Sequence, residues 1–146
     1  MAQIIKNIAQ LQSALDKYAA YAVDKMANEV KKKIEEFIKY YYQEYTPEFY
    51  SRTWKFLNSV TRTEVYKKGN AWCAEVYIDT SIAYKNDWTM EGTAIQANEG
   101  WHGWRHAVQV GDSHFWDDAM EEIHSPEFIN KFADFLRNKG LSVTIK

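Results

Sequence analysis

His102 and His106 stand four residues apart, the spacing at which two imidazoles on a helical turn can share a metal ion. Gly100 and Gly103 bracket the first of them, so the helix that such a site needs is not expected there. His114 and Asp117 could complete a ligand set only by folding back onto it. Asp117, Asp118, Glu121 and Glu122 could supply a general acid and a general base. Nothing near them in sequence points to burial, and they read as a solvated helix face. Ser113 and His114 are neighbours, and adjacent side chains rarely face each other as nucleophile and base. Trp101, Trp104 and Trp116 could line a ligand pocket. The patterns that make such readings specific are absent: there is no HExxH, no spaced Cys/His set, no GxSxG, no P-loop and no GxGxxG. The expectation is therefore a protein without catalytic residues, metal or cofactor. The alternative is a small metal-dependent enzyme using His102, His106, His114 and Asp117, or a binding module built on the tryptophans.

The elements that hold this region are organised around residues 45–78. Before them, Ile4, Ile8, Leu11, Leu15, Tyr18, Ala22, Met26, Val30, Ile34, Phe37, Tyr41 and Tyr45 recur in steps of three and four. That is the apolar stripe of one helix over roughly residues 4–45, with no Gly or Pro to break it. At 1.5 Å per residue it would be ~60 Å long, more than one small domain covers, so part of it projects or packs on another subunit. Of Tyr40, Tyr41 and Tyr42, the middle one is expected in the core and the other two at its edges. Lys31, Lys32 and Lys33 are followed at once by Glu35 and Glu36, and read as a solvated face rather than a nucleic-acid patch.

Thr46-Pro47-Glu48 has the order of a helix start: a capping hydroxyl, a proline at the first helical position, an acid near the positive end of the dipole. Phe49, Tyr50, Trp54, Phe56 and Leu57 make the segment after it apolar. The period then changes. Val60 to Thr63, and Trp72, Ala74, Val76 and Ile78 alternating with Cys73, Glu75 and Tyr77, predict two strands joined by a turn at Lys67-Lys68-Gly69-Asn70. Asp79 to Glu91 reads as a loop. Thr93 is expected to cap a helix over 94–99, residues 105–110 to be extended, and Gly111-Asp112-Ser113 to turn into a helix over 114–124. Ser125-Pro126-Glu127 starts a last helix with Phe128, Phe132, Phe135 and Leu136 on one face, ended by Gly140. Residues 141–145 read as a terminal strand. The fold class is α+β: a long N-terminal helix packed on a small antiparallel sheet of three or four strands, with two or three shorter helices. One domain is expected over residues 1–146, with 1–45 as the long helix and 46–146 as the body.

The 46% hydrophobic and 26% charged composition is that of a folded chain, and aromatics are abundant at 10 Tyr, 7 Phe and 6 Trp. A single cysteine, Cys73, excludes an internal disulfide. No apolar run approaches the ~20 residues needed to span a membrane, and the first ten residues lack the order of a signal peptide. The net charge of −2 gives no reason to expect direct sequence-specific nucleic-acid binding. Residues 1–70 hold 12 Lys/Arg against 8 Asp/Glu, and residues 71–146 hold 6 against 12, so the halves carry +4 and −6. Opposite halves favour association of copies head to tail, which closes into a ring.

Several pieces together resemble one family. These are Tyr45-Thr46-Pro47-Glu48-Phe49-Tyr50-Ser51-Arg52-Thr53 with Leu57-Asn58-Ser59, the strand ending Ile78-Asp79, the turn Glu99-Gly100-Trp101-His102-Gly103, and Phe115-Trp116 opening a helix. Over roughly residues 45–125 the chain resembles the minor tail-component or neck (tail-completion) proteins of tailed siphophages and prophages. It departs from them at Trp104, where similar proteins carry a second glycine, and its N-terminal helix has no matching motif. The resemblance implies a structural, non-enzymatic virion component at the junction of head and tail, made in the bacterial host cytoplasm. Its implied partners are copies of itself, in a ring or other homo-oligomer, and neighbouring head-tail connector or tail proteins. Tyr45, Pro47, Tyr50, Arg52, Thr53, Trp101, His102, Trp104 and Trp116 are then interface or structural residues, with Arg52 held by a nearby carboxylate or helix carbonyls.

Overall fold

The computed structural model describes residues 4–43, 54–84, 89–99 and 114–144, and the backbone of 101–102 and 108–109. Its spine is α1, Ile8–Gln43, unbroken over 36 residues and about 54 Å long at 1.5 Å per residue. The helix starts four residues later than the periodicity alone suggests, because Asn7 caps it. Asn7 Oδ1 accepts from the Gln10 amide at 2.9 Å, and Gln10 Oε1 reaches back to accept from the Lys6 amide at 2.8 Å. This is a close variant of the capping box, two orphan donors satisfied reciprocally.

Along one flank of α1 runs a β-ribbon. Strands β1 (Val60–Arg62) and β4 (Val76–Ile78) pair antiparallel, as do β2 (Tyr66–Lys68) and β3 (Ala71–Cys73). The predicted hairpin is thus present, but its two pairs differ in register by one residue. Val60 opposes Ile78, whereas Tyr66 opposes Cys73. Residues 63–65 therefore face only 74–75, a bulge that adds one residue to the outgoing arm and sharpens the local twist. Thr63 bridges it: its amide donates to Glu75 O at 2.9 Å, and its hydroxyl accepts from the Glu75 amide at 2.9 Å. At the tip, Gly69 has φ of 62° at the first of two loop residues, the backbone a II′ turn requires. Instead of one sheet of three or four strands, the described strands form three two-stranded pairs, the third being β5 (Trp101–His102) with β6 (Val108–Gln109).

The other helices are α2 (Lys55–Asn58), α3 (Met90–Asn98), α4 (Phe115–Ile123) and α5 (Pro126–Arg137). Helices α4 and α5 follow one another down α1 in the direction opposite to it. Glu122 reaches Lys33, Lys131 reaches Glu29, and Lys139 lies over the ring of Tyr21 at 4.1 Å. Ser125 caps α5 by accepting from the Phe128 amide at 3.2 Å, with Pro126 at the first helical position as the sequence predicts. Gly140, at φ 87°, ends it.

Three expectations are corrected. Helix α3 begins at Met90 rather than at 94, because Thr89 and not Thr93 supplies the cap, accepting from the Gly92 amide at 3.0 Å. Burying Met90 completely is what draws the first turn in. Residues 141–144 form no strand: the Val143 carbonyl accepts from Arg137 Nη2 at 2.8 Å and Nε at 3.2 Å, taking the place of a ladder partner. Tyr42 is buried alongside Tyr41 instead of lining its edge. Its hydroxyl accepts from the Leu57 amide at 3.1 Å, one of the donors the single turn of α2 cannot satisfy itself.

The core sits where the C-terminal half of α1 meets α2, β1, α3 and α4. Ile34, Ile38, Tyr41, Tyr42, Phe56, Val60, Met90, Ala97, Phe115 and Ala119 form one buried cluster. Its rings pack edge to face: Phe56 lies 5.3 Å from Phe115 at 88° and 6.2 Å from Tyr41 at 84°. That geometry sets the positive rim of one ring against the negative face of the next.

Candidate functional site

Of the residues singled out by type and spacing, Tyr45, Pro47, Tyr50, Arg52, Thr53, Trp104 and His106 lie outside the described residues. Trp101 and His102 are described by their backbone, which pairs with Gln109 and Val108 respectively. Trp116 is half-buried at the start of α4, beside Phe115 at 6.4 Å between ring centroids. It packs against the core. His114 precedes α4 and its Nδ1 lies 4.0 Å from Asp117 Oδ2. Asp117 is tied to Asn98 Nδ2 at 3.0 Å, while Asn98 Oδ1 accepts from the Trp116 amide at 2.9 Å. The end of α3 thus caps α4, and the Asp117 carboxylate serves that join. Among the described residues, no three His, Cys, Asp or Glu side chains are grouped to hold a metal ion. Asp117, Asp118, Glu121 and Glu122 form an exposed face.

Two polar constellations fasten the body to the spine. The first is Arg62 on β1, with only 14% of its side chain exposed. Its Nη2 donates to Asp24 Oδ1 at 2.7 Å, Nη1 to Asp24 O at 2.9 Å and Asn28 Oδ1 at 2.8 Å, and Nε to Thr63 O at 3.0 Å. Asp24 and Asn28 are one helical turn apart and so share a face of α1. Sequence reading missed this clamp. The only local sign is an arginine inside a β-branched run, and its partners lie 34 and 38 residues away.

The second is Lys33, which is largely buried between α1 and α4. Its Nζ is 2.9 Å from Glu36 Oε2 and 2.9 Å from Glu122 Oε1. Lys31 and Lys32 instead pair along the helix, with Glu35 at 3.1 Å and Glu29 at 3.5 Å. The hydrogen bond that Lys33 donates to Glu122, then the one to Glu36, raises its pKa above the ordinary lysine value. The Tyr40 hydroxyl, at 2.7 Å, and then Lys33 lower Glu36 below its ordinary 4.5. Burial works against the Glu29 carboxylate, but Lys131 and Lys32 outweigh it and hold its pKa down too. A raised lysine stabilises the fold below its unfolded value, and that contribution is lost as pH rises through the folded value. A depressed carboxylate stabilises above its unfolded value, and that contribution is lost as pH falls through the folded value. The melting temperature should therefore hold level from about pH 6 to 9 and fall once pH drops below about 4.5. In Lys33→Met the acid limb should be shallower, measured by circular dichroism melts across pH. An identical acid limb in the variant would remove this network as the cause.

The remaining surface of note is apolar. Ile4 (78% exposed), Ile8 (82%), Leu11 and Leu15 lie uncovered at the start of α1. The body still covers Ala14 and meets the helix at Asp16. There the ribbon tip touches it, through Trp72 Nε1 at 3.3 Å and Lys67 Nζ at 3.4 Å. Among the described residues no helix is long and apolar enough to cross a membrane.

No curated protein and no solved structure matches the chain. One family model does, over residues 7–138, from the cap of α1 to the end of α5. That span takes in the spine, the ribbon and every described helix. The chain belongs to the YomN family and is a phage-related protein, of a family derived from Bacillus phages and prophages.

Proposed function

We propose that this chain is a structural, non-enzymatic component of the phage particle at the connection between head and tail. It acts in the neck or in tail completion, by assembling with copies of itself and with neighbouring connector or tail proteins. The observation that carries this reading is the spine helix, which is longer than the body that covers it and ends in uncovered aliphatic side chains. Such a surface is suited to a protein partner: large exposed apolar patches on folded proteins mark interaction sites. The phage-derived family supports the setting, and the resemblance of residues 45–125 to neck and tail-completion proteins is the reason for proposing that place. No direct sequence-specific contact with nucleic acid and no membrane contact is required.

The test is disruption of the gene in an inducible prophage, followed by electron microscopy of the lysate. Filled heads and separate tails that fail to join are expected, with joining restored by the gene in trans. Normal infectious particles from the disrupted prophage, or purified virions lacking the protein, would overturn the reading.

A further inference from the structure

Residues 141–144 carry the pattern of a strand and have no strand to pair with. Leu141 and Val143 are half-buried while Ser142 and Thr144 are exposed, the alternation of a strand laid with one face on a body. The Leu141 amide donates to Leu136 O at 3.3 Å, and Val143 O accepts from Arg137. Among the described residues, the amides of Ser142, Val143 and Thr144 have no partner. In a strand the N–H and C=O of one residue point to the same side. Arg137 therefore sits on the edge from which Val143 would pair.

The ribbon holds the complementary half. The Asp79 amide donates to Ser59 O at 2.8 Å and the Thr63 amide to Glu75 O at 2.9 Å. The hydrogen-bonded pairs of β1 and β4 are thus Ser59 with Asp79, Thr61 with Tyr77 and Thr63 with Glu75. Val76 and Ile78, between them, turn their amides and carbonyls away from β1. Among the described residues nothing bonds to those groups. The free edges of the ribbon are not alike. Strand β2 is Tyr66-Lys67-Lys68, and edge lysines are a device that keeps strands from pairing. Strand β4 is Val76-Tyr77-Ile78, with neither charge nor proline.

We propose that residues 141–144 of one copy add to β4 of the next as a third strand, with Val143 exchanging backbone hydrogen bonds with Val76 or Ile78. The proposal rests on the self-assembly reading above and names the surfaces that meet. A second copy is selected because donor and acceptor both lie on this chain and neither is satisfied within it. The side chains agree, since residues opposite one another in a sheet share a face. Leu141 and Val143 extend the apolar row of Val76 and Ile78, which packs against the core. Ser142 and Thr144 fall beside Tyr77, which is 43% exposed. A helix or a lipid surface cannot supply the backbone donors and acceptors that the β4 edge is missing. Donor and acceptor are different surfaces, so each copy gives to one neighbour and takes from another. That is the heterologous contact that closes into a ring or grows as a filament. Arg137 is the latch, because its hold on Val143 O must be released first.

The test is sedimentation of the full chain from about 5 to 200 µM, with amide exchange at both ends of the range. Concentration-dependent oligomers are expected. The amides of Val76, Ile78 and Val143 should slow as they form, while that of Tyr77, already paired with Thr61, should not. Val143→Pro removes the donor amide and no hydrogen bond of the single chain, and should weaken association at least about tenfold. Val76→Pro removes the acceptor's amide at an edge position where proline is tolerated. Neither variant alone should associate. Mixed, they should form a one-to-one complex that grows no further, because one intact donor meets one intact acceptor. Arg137→Met opens the latch and should tighten association about threefold to tenfold. A wild-type chain that stays monomeric at about 200 µM, or oligomers indifferent to Val143→Pro, would overturn the proposal. So would a mixture that stays monomeric although both variants melt like the wild type. None of these bears on whether heads and tails join in the disrupted prophage, so the two readings fail separately.

Discussion

Phe115→Ala is expected to lower the unfolding free energy by about 4 kcal/mol, the upper part of the range for truncating a buried aromatic. Phe115 is 2% exposed and its ring stands edge to face on Phe56, which in turn contacts Tyr41 and Tyr42. Phe115 lies on α4 and those neighbours on α1 and α2, three elements that cannot shift together to fill the hole. The loss is therefore the transfer term plus most of the cavity term. At about 3 °C per kcal/mol for a chain of this length, the melting temperature should fall by about 12 °C. Ile129→Ala, at a position 45% exposed on α5, should change stability by less than about 0.5 kcal/mol and serves as the control. Urea titrations with unchanged slope are the measurement. A loss below about 1.5 kcal/mol would mean that Phe115 does not hold the three elements together.

Much of this architecture was legible in the sequence where local chemistry decides it. The spine could be read because its apolar positions keep one period without a breaker. The ribbon turn could be read because Gly69 supplies the positive φ that the tip needs, and α5 because Ser125-Pro126-Glu127 is a capping order that works in isolation. What could not be read depends on partners distant in sequence. Two threonines four residues apart both suit a cap, and burial of Met90 decides for Thr89. Residues 141–144 have strand composition, yet the Arg137 side chain occupies the carbonyl that a ladder would need. The bulge leaves no mark, because residues 63–65 and 74–75 look like ordinary strand. The excess length of the spine was legible as arithmetic, but periodicity cannot say which end is covered. That needed the direction of α4, α5 and the ribbon.

The candidate site shows the same division. The histidine and acid spacings suggested chemistry, and the described ones lie at a local join: Asp117 is tied to Asn98, with His114 Nδ1 4.0 Å from Asp117 Oδ2. Under the assembly role proposed above, function would be carried by the surfaces left over once the core has closed. A motif records local bonding needs and has no means of recording what remains uncovered. The exposure of Ile8, Leu11 and Leu15 cannot be read from the sequence, because their spacing is identical to that of the buried stripe they continue.

Arg62→Met should cost about 2–3 kcal/mol and lower the melting temperature by about 8 °C. The substitution keeps most of the side-chain volume, so packing changes little. What is lost is the partner of Asp24 Oδ1, Asn28 Oδ1 and two carbonyls, in a place where the arginine itself is only 14% exposed. Asp24 is 40% exposed, and water will rescue part of its loss, which is why the figure is set below that of a fully buried ion pair. Arg62→Lys should recover less than half, because an ammonium on a flexible stem cannot serve Thr63 O on one side and Asp24 with Asn28 on the other. The clamp ties β1 to the middle of α1, so its loss should also loosen the ribbon, speeding amide exchange at Thr63 and Glu75 more than in the core around Ile38. A double-mutant cycle of Arg62→Met with Asp24→Asn isolates the pair, and a coupling of about 1–2 kcal/mol is expected. Coupling below about 0.5 kcal/mol, with uniform exchange rates, would reduce Arg62 to one surface contact among many and leave apolar burial alone to hold the ribbon on the spine.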